Sequence, residues 1–482
     1  MENIQALLSN ATPVQWGAAA AAVISLGLVY ATSRKTYGSG RHYPPGPPKL
    51  LLIGNAHNFP VDNWAVVFNE WQKLYGDIIH IQLPGTSFVI VNSFEIAQEL
   101  FNKRAKFNSD RNVGHMIMKL MGWEWTPIFR NADIVHSTER TMFKRGIGPT
   151  KMPLKDPLIE SHTQQLVLDL QRIKGNPRNT IVNIIGMTII ELAYGRGIVK
   201  DHGVELTALN VEAMRLLNQA VVTVWAVDLF PLLRFWPSWM PGGQFKRHGA
   251  YSKQLVDRIR EWPFQMAIER HKAGTLGHCL ADDLINEFGT RFEVQDTLAS
   301  LYLAGVDTTS TVVVQFLHAM FVFPEIAKES LRLKCAAPVG APRSNMHDET
   351  INGYFIPKGS IINSNFGFML NNPKIWGDPE IFRPERFLSA EASALPDPTV
   401  LIFGFGARIC PGMYFADRTG FHMAVSTMAL FDIKPLPGEL VPLYTEVEYT
   451  KTLFRLPVKF DCSFAPRDSK ATHLLSSLAL GY

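Results

Sequence analysis

The stretch Leu401–Ala416, LIFGFGARICPGMYFA, constrains this chain more than any other. Its single cysteine, Cys410, lies between Gly406 and Gly412, and a helical pattern runs from Met413 to Leu430. Pro411 suits a first helical position, where a missing N–H is no loss. Cys410 therefore falls just before a helix N-terminus, at the end of a loop that glycines let fold tightly. Unpaired N–H groups and the positive end of the helix dipole favour thiolate over thiol there, and thiolate is the metal-binding form. One thiolate cannot close a zinc site, which takes four N or S ligands. It suffices where a haem supplies the other ligands. On Cys410 alone, an inert buried cysteine in a tight turn is the simpler account.

The full string FGFGARICPG decides otherwise. It matches F-x-x-G-x-R-x-C-x-G at every fixed position, and so resembles the haem-ligand loop of the cytochrome P-450 haem-thiolate monooxygenases. The resemblance implies heme b, with Cys410 as axial ligand of the iron. It implies that Arg408 pairs with a haem propionate and that Phe403 packs near the sulfur.

Composition agrees. The 482 residues are 46% hydrophobic and 19% charged, ample for a large buried core. A net charge of +4 gives no support to a nucleic-acid partner. Cys279, Cys335, Cys410 and Cys462 lie far apart with no C-x-x-C pair, which excludes zinc ribbons and thioredoxin-like motifs and fits a reducing compartment.

Gly17–Ala31 is an uncharged, alanine-rich run followed by Arg34, Lys35 and Arg41. It reads as a single-pass anchor with the bulk of the chain cytoplasmic. In a eukaryote that means the endoplasmic reticulum membrane. Asn10-Ala11-Thr12 is a glycosylation sequon on the non-cytoplasmic side, with Pro13 and the nearby membrane against its use. Three segments follow: an anchor and tail over 1–42, a proline-rich hinge over 43–48, and a catalytic domain over 49–482. The hinge, YPPGPP, cannot be helix or central strand.

Ile78–Leu83 and Ser87–Val91 predict a strand pair around Pro84-Gly85, and Phe94–Phe101 a helix. The family resemblance calls for W-x-x-x-R on the next helix. No tryptophan stands there, since Trp123 and Trp125 come too early. His136 and Arg140 are candidate propionate contacts there, but a solvated helix face is the simpler account and the favoured one. Ile181–Ala193 is a core helix. Phe235, Trp236 and Trp239 sit in a proline-broken loop, and are placed either at a membrane interface or in the core.

Val294–Phe323 reads as one long helix containing Ala304-Gly305-Val306-Asp307-Thr308-Thr309. Gly305 costs a helix about 1 kcal/mol against alanine, which suggests close approach by something flat. The string resembles the family's oxygen-activating A-G-x-D-T-T motif. By that resemblance Thr308 and Asp307 deliver protons to bound dioxygen. Glu329-Ser330-Leu331-Arg332 spells E-x-x-R, and with Arg386 it matches the family's triad behind the haem loop. Arg343 matches the place of a propionate-binding basic residue. The spacing departs from the family, which has several dozen more residues, including a helix, between the oxygen helix and E-x-x-R. Here Phe323-Pro324-Glu325 joins them directly, an apparent internal deletion near 324–329. Lys451–Phe454 falls where the family's last substrate-contacting loop lies, and Ser469–Tyr482 reads as a frayed tail.

The expectation is a mainly α fold: one large haem-thiolate domain with small β-sheets, preceded by one N-terminal transmembrane helix. The implied reaction inserts one oxygen atom from O2 into an apolar small molecule, with electrons from an NADPH-dependent reductase. The sequence has a fungal flavour, and suggests secondary metabolism or xenobiotic oxidation. Two alternatives stand: a haem-thiolate isomerase or dehydratase without oxygen insertion, and a degenerate non-catalytic membrane protein resulting from the deletion.

Overall fold

The computed structural model describes residues 40–322, 327–388, 395–440 and 447–480, apart from 52 and 451. The anchor run, Asn10 and the join at 323–326 lie outside these residues.

The core is built on one helix, Phe292–Val322. It is long and apolar enough to cross a membrane, yet two-thirds of its most apolar window is buried by protein. An all-round apolar helix of this kind belongs inside a large domain. Seven longer helices precede it: α1 (Trp64–Tyr75), α2 (Ile134–Ile147), α3 (Asp156–Leu170), α4 (Arg178–Tyr194), α5 (Arg196–Val221), α6 (Gln244–Lys272) and α7 (Leu280–Phe288). The central helix is α8, and α9 (Ala327–Leu333), α10 (Met413–Leu430) and α11 (Ser469–Leu480) follow it. Helices α2, α4, α5, α6 and α10 pack around α8.

The match between neighbours is close. A Cβ on Gly186 of α4 would come within 2.4 Å of Thr207 Oγ1 on α5, so the two backbones approach only because that residue is glycine. Helix α4 is rich in isoleucine, a middling helix former, but burial of Ile181, Ile184, Ile185 and Ile189 outweighs propensity.

The sheets are small and lie at the side of the bundle. Strands β1 (Ile78–Leu83) and β2 (Thr86–Val91) form the expected hairpin, with Ile79 opposite Ile90. β2 also pairs in parallel with Ile361–Ser364, whose other edge takes Arg343–Ser344 antiparallel. The order is therefore hairpin, Ile361–Ser364, then the strand carrying Arg343. Glu349–Ile351 and Tyr354–Ile356 make a separate hairpin. Thus the neighbouring strands Tyr354–Ile356 and Ile361–Ser364 belong to two different sheets. Lys174–Gly175, Cys462–Pro466 and Phe431–Lys434 form the third sheet.

Three expectations change in detail. The helix over Phe94–Phe101 is α-helical to Gln98 and then widens to a π-helical turn over Glu99–Lys103. The proline-rich segment lies extended against β1, with His80 N–H donating to Pro45 O at 2.9 Å and Asn55 Nδ2 to Pro47 O at 3.0 Å. The frayed tail is helix α11, capped by Asp468, which accepts from Ala471 N–H at 2.7 Å. Its Ala471 and Leu475 are buried, and it packs on α3 and α10.

Candidate active site

A cavity of about 1100 Å³ opens beside α8. Its walls are α8 at Ala304 and Thr308, the Phe403–Gly412 loop, α2 at His136 and Arg140, the strand with Arg343, the β1–β2 turn, and a roof over residues 220–234.

The loop is held by its own backbone. Cys410 N–H donates to Phe403 O at 2.8 Å, and Arg140 Nη1 donates to Ile409 O at 2.7 Å. Gly406 has φ 55°, and a Cβ there would lie 2.0 Å from Phe101 O, so no other residue fits. Pro411 stands two places before the first helical position it was expected to fill: Gly412 is the N-cap and Met413 opens α10. The expected thiolate-favouring helix end is outweighed in the protein alone. Burial pushes the Cys410 thiol up, opposed by the Gly412 N–H and by Arg140. A bound cation reverses that balance by coordinating the sulfur directly. Of the four cysteines only Cys410 lies on the cavity wall. Burial raises Cys279 and Cys335 to about 11 and Cys462 to about 12.

Around this loop four arginines and a histidine crowd the cavity wall: Arg111, His136, Arg140, Arg343 and Arg408. Arg408 donates to three carbonyls, Ser109 O at 2.7 Å, Pro127 O at 2.8 Å and Arg130 O at 2.6 Å. Arg343 Nη2 donates to Phe405 O at 2.7 Å and its guanidinium lies 4.4 Å from the Phe101 ring, but its buried Nη1 has no partner. Arg111 Nη1 donates to Ala341 O at 3.0 Å and its buried Nε has no partner. Burial, then each other's charge, holds these groups down: Arg343 to about 9, Arg111 well below its ordinary value, and His136 to about 3. Burial takes Arg408 to about 10. Buried cations with orphaned N–H groups call for an anion, and the two propionate carboxylates of a haem supply the matching charge. The donor set fits a haem whose iron meets Cys410.

His136 and Arg140 overturn the solvated-face expectation. His136 is 6% exposed, and both border the cavity. Their spacing, H-x-x-x-R, is that of the missing W-x-x-x-R, with imidazole in place of indole. That four-residue interval was the available signal.

The oxygen-helix residues do not all meet. Thr308 is on the wall, its Oγ1 donating to Ala304 O at 2.6 Å. Asp307 is not a wall residue. It accepts from Asn218 Nδ2 of α5 at 3.0 Å, and burial raises its carboxyl pKa. Adjacent helix positions point about 100° apart, so a sequence pair need not be a spatial pair. Gly305 borders the cavity, but a Cβ there would meet Ile189 Cδ1 of α4 at 3.0 Å. On its Cβ side the close approach it permits is that of a neighbouring helix.

Glu329, Arg332 and Arg386 do meet, as expected, and are buried. Glu329 accepts from Arg332 Nε and Nη2 at 2.8 Å each and from Arg386 Nε at 3.0 Å. Helix α9, which carries two of them, packs on the short helix Pro398–Ile402 that leads into the Cys410 loop.

A helical bundle with one wall cysteine beneath a long helix, ringed by arginines that make no ion pair among the described residues, fits a haem-thiolate protein. The cytochrome P450 family profile matches residues 44–328 and 317–461. Cytochrome P450 monooxygenase COX2 of Coprinopsis cinerea is 30% identical over 504 positions, covering 95% of each chain. Cytochrome P450 monooxygenase 176 of Postia placenta is 29% identical, covering 94% of this chain and 95% of the other. Tryptamine 4-monooxygenase of Psilocybe cyanescens is 27% identical, covering 91% and 96%. The chain belongs to the cytochrome P450 family. It is a haem-thiolate monooxygenase using O2 and a redox partner.

Proposed function

We propose that Cys410 is the axial ligand of the haem iron and that the substrate is an apolar small molecule of fungal secondary metabolism. The position of Cys410, alone among the cysteines on the cavity wall, carries this reading. Arg111, Arg140, Arg343 and Arg408, with His136, bind the propionates. The bound group supplies oxygen activation, favoured by electron donation from the thiolate. The protein's part is placement and protons. Thr308 holds a hydroxyl at the wall and passes a proton inward. Asp307 stands off the wall with its carboxyl held by Asn218, and its part is as a buried proton reservoir on the same helix. Apolar walls keep water from the substrate.

The electron donor is an NADPH-dependent reductase. The domain is tethered to the endoplasmic reticulum membrane by residues 17–31, joined through 43–48. The roof loop adds support: Phe235 is 70% and Trp239 79% exposed, which suits an interface better than a core.

A second reading is a chain shortened at 324–329 and impaired by it. It is favoured by the family match falling in two overlapping pieces and by an alignment of 504 positions on a chain of 482. The reduced carbon monoxide difference spectrum separates the two. A thiolate-type Soret band that disappears in Cys410→Ala and persists in Cys462→Ser supports the enzyme. Failure of the wild-type chain to take up haem supports the impaired form, and a band that survives Cys410→Ala removes Cys410 as ligand.

A further inference from the structure

Among the described residues the cavity wall carries five basic side chains around the Cys410 loop but only one acidic side chain, Asp228, set in the roof. Asp228 lies on the short helix Ala226–Leu229, three residues after Trp225, which also lines the cavity. Its Oδ1 accepts from Met116 N–H at 2.8 Å. Gly114, at φ 88°, lets the carboxylate come close: a Cβ there would fall 2.4 Å from Oδ2. The carboxylate thus bridges two parts of the roof. Two backbone N–H groups, of His115 and Met116, favour its charged form. They do not balance its burial, which pushes the carboxyl up to about 6. Among the described residues no ion pair reaches it. Arg234, further along the same segment, is turned over the Phe235 ring at 4.8 Å. The wall beside it is apolar, with Ile117, Met214, Leu217 and Leu303.

A carboxylate accepts about four hydrogen bonds, so capacity remains after the two N–H donors. A buried anion without a cation is a costly arrangement, and it persists most readily where a ligand completes it. We propose that Asp228 receives a protonated amine of the substrate, so that the apolar small molecule carries one cationic nitrogen held at the roof. Trp225 on the same wall offers an aromatic face to that cation. The amine end is thereby set away from the arginine-rich end, which repels it, and the apolar remainder lies toward Thr308.

The test uses the full chain in detergent micelles and two matched probes. These are N,N-dimethyl-4-phenylbutylamine, cationic at neutral pH, and its neutral carbon isostere with isopropyl in place of dimethylammonium. Quenching of tryptophan fluorescence, to which the wall residues Trp123 and Trp225 contribute, reads binding with or without haem. The expected result is a preference for the amine of about tenfold, equivalent to 1.4 kcal/mol. Asp228→Asn keeps an oxygen for the Met116 N–H and removes only the charge, so it should abolish the preference and leave the neutral probe unchanged. A preference that survives Asp228→Asn overturns the proposal. So does equal weakening of both probes, which would make Asp228 a roof brace alone. If that variant does not fold, the wild-type protein decides with 4-phenylbutyrate, which should bind at least about tenfold more weakly than the amine; equal binding overturns the proposal. The carbon monoxide spectrum is recorded on the same samples. A missing thiolate band counts against the haem assignment without touching the fluorescence result.

Discussion

Replacing Glu329 with alanine should be among the most damaging single changes outside the cavity. Glu329 is fully buried, and its two oxygens take Arg332 Nε and Nη2, Arg386 Nε at 3.0 Å, and the Arg383 N–H at 3.1 Å. Removing one member of a buried ion pair costs about 3–5 kcal/mol, because the partner charge is left uncompensated. Here two guanidiniums are left. Each keeps carbonyl acceptors, Leu370 O and Pro379 O for Arg332, and Trp376 O, Asp378 O and Ile381 O for Arg386. Their hydrogen bonds are therefore partly retained, and the loss should fall near the lower end, about 3 kcal/mol. A chain this long has an unfolding entropy of about 1 kcal/mol/K, so the thermal midpoint should fall by about 3 °C. Differential scanning calorimetry on the haem-loaded protein measures this. Because α9 packs on the helix leading into the Cys410 loop, haem loss on standing should accelerate in parallel. A midpoint within 1 °C of wild type, with unchanged haem retention, would refute the argument that this triad supports the loop.

Three further outcomes follow from the geometry. Thr308→Ala should leave probe binding unchanged while product per NADPH consumed falls by at least about tenfold, with peroxide accounting for the difference; product and peroxide assays on one sample check it. Glu139 is fully buried on α2 near Asp296, and burial lifts its carboxyl from 4.5 to about 8 against the pull of Arg130. The folded chain then holds a proton that the unfolded chain releases, so this contribution to stability is full below about pH 4.5 and is lost as pH rises through about 8. Glu139→Gln should flatten the fall between those limits in melts recorded across pH. Arg343→Leu removes a buried cation with an orphaned Nη1, and should slow haem uptake by the apoprotein while leaving its thermal midpoint within about 1 °C.

The parts of the site readable in the sequence are those whose partners are close along the chain. The Cys410 loop is closed by its own Phe403 carbonyl, and the Glu329–Arg332 pair spans one helical turn. The long central helix follows from an apolar run that survives any choice of neighbour. What escaped depends on distant segments. Nothing local says whether His136 and Arg140 face water or the Cys410 loop, because that is settled by how α2 packs against α8. Asp307 differs from Thr308 in surroundings because Asn218, some ninety residues earlier, captures its carboxyl. Gly305 was legible as a close contact, but its partner, Ile189, was not. Asp228 carried no local signal: its meaning comes from being the single acid on a wall assembled from many segments.

The third sheet and helix α11 have a consequence for synthesis. Lys174–Gly175 pairs with Cys462–Pro466, and α11 packs on α3, which lies some three hundred residues earlier. The N-terminal half therefore leaves the ribosome without the strand and helix that close it. Its apolar seams can close only after Cys462–Pro466 and α11 have emerged. Removing α11 would leave that seam open, so the third sheet and α11 form a late clasp on a structure begun some three hundred residues earlier.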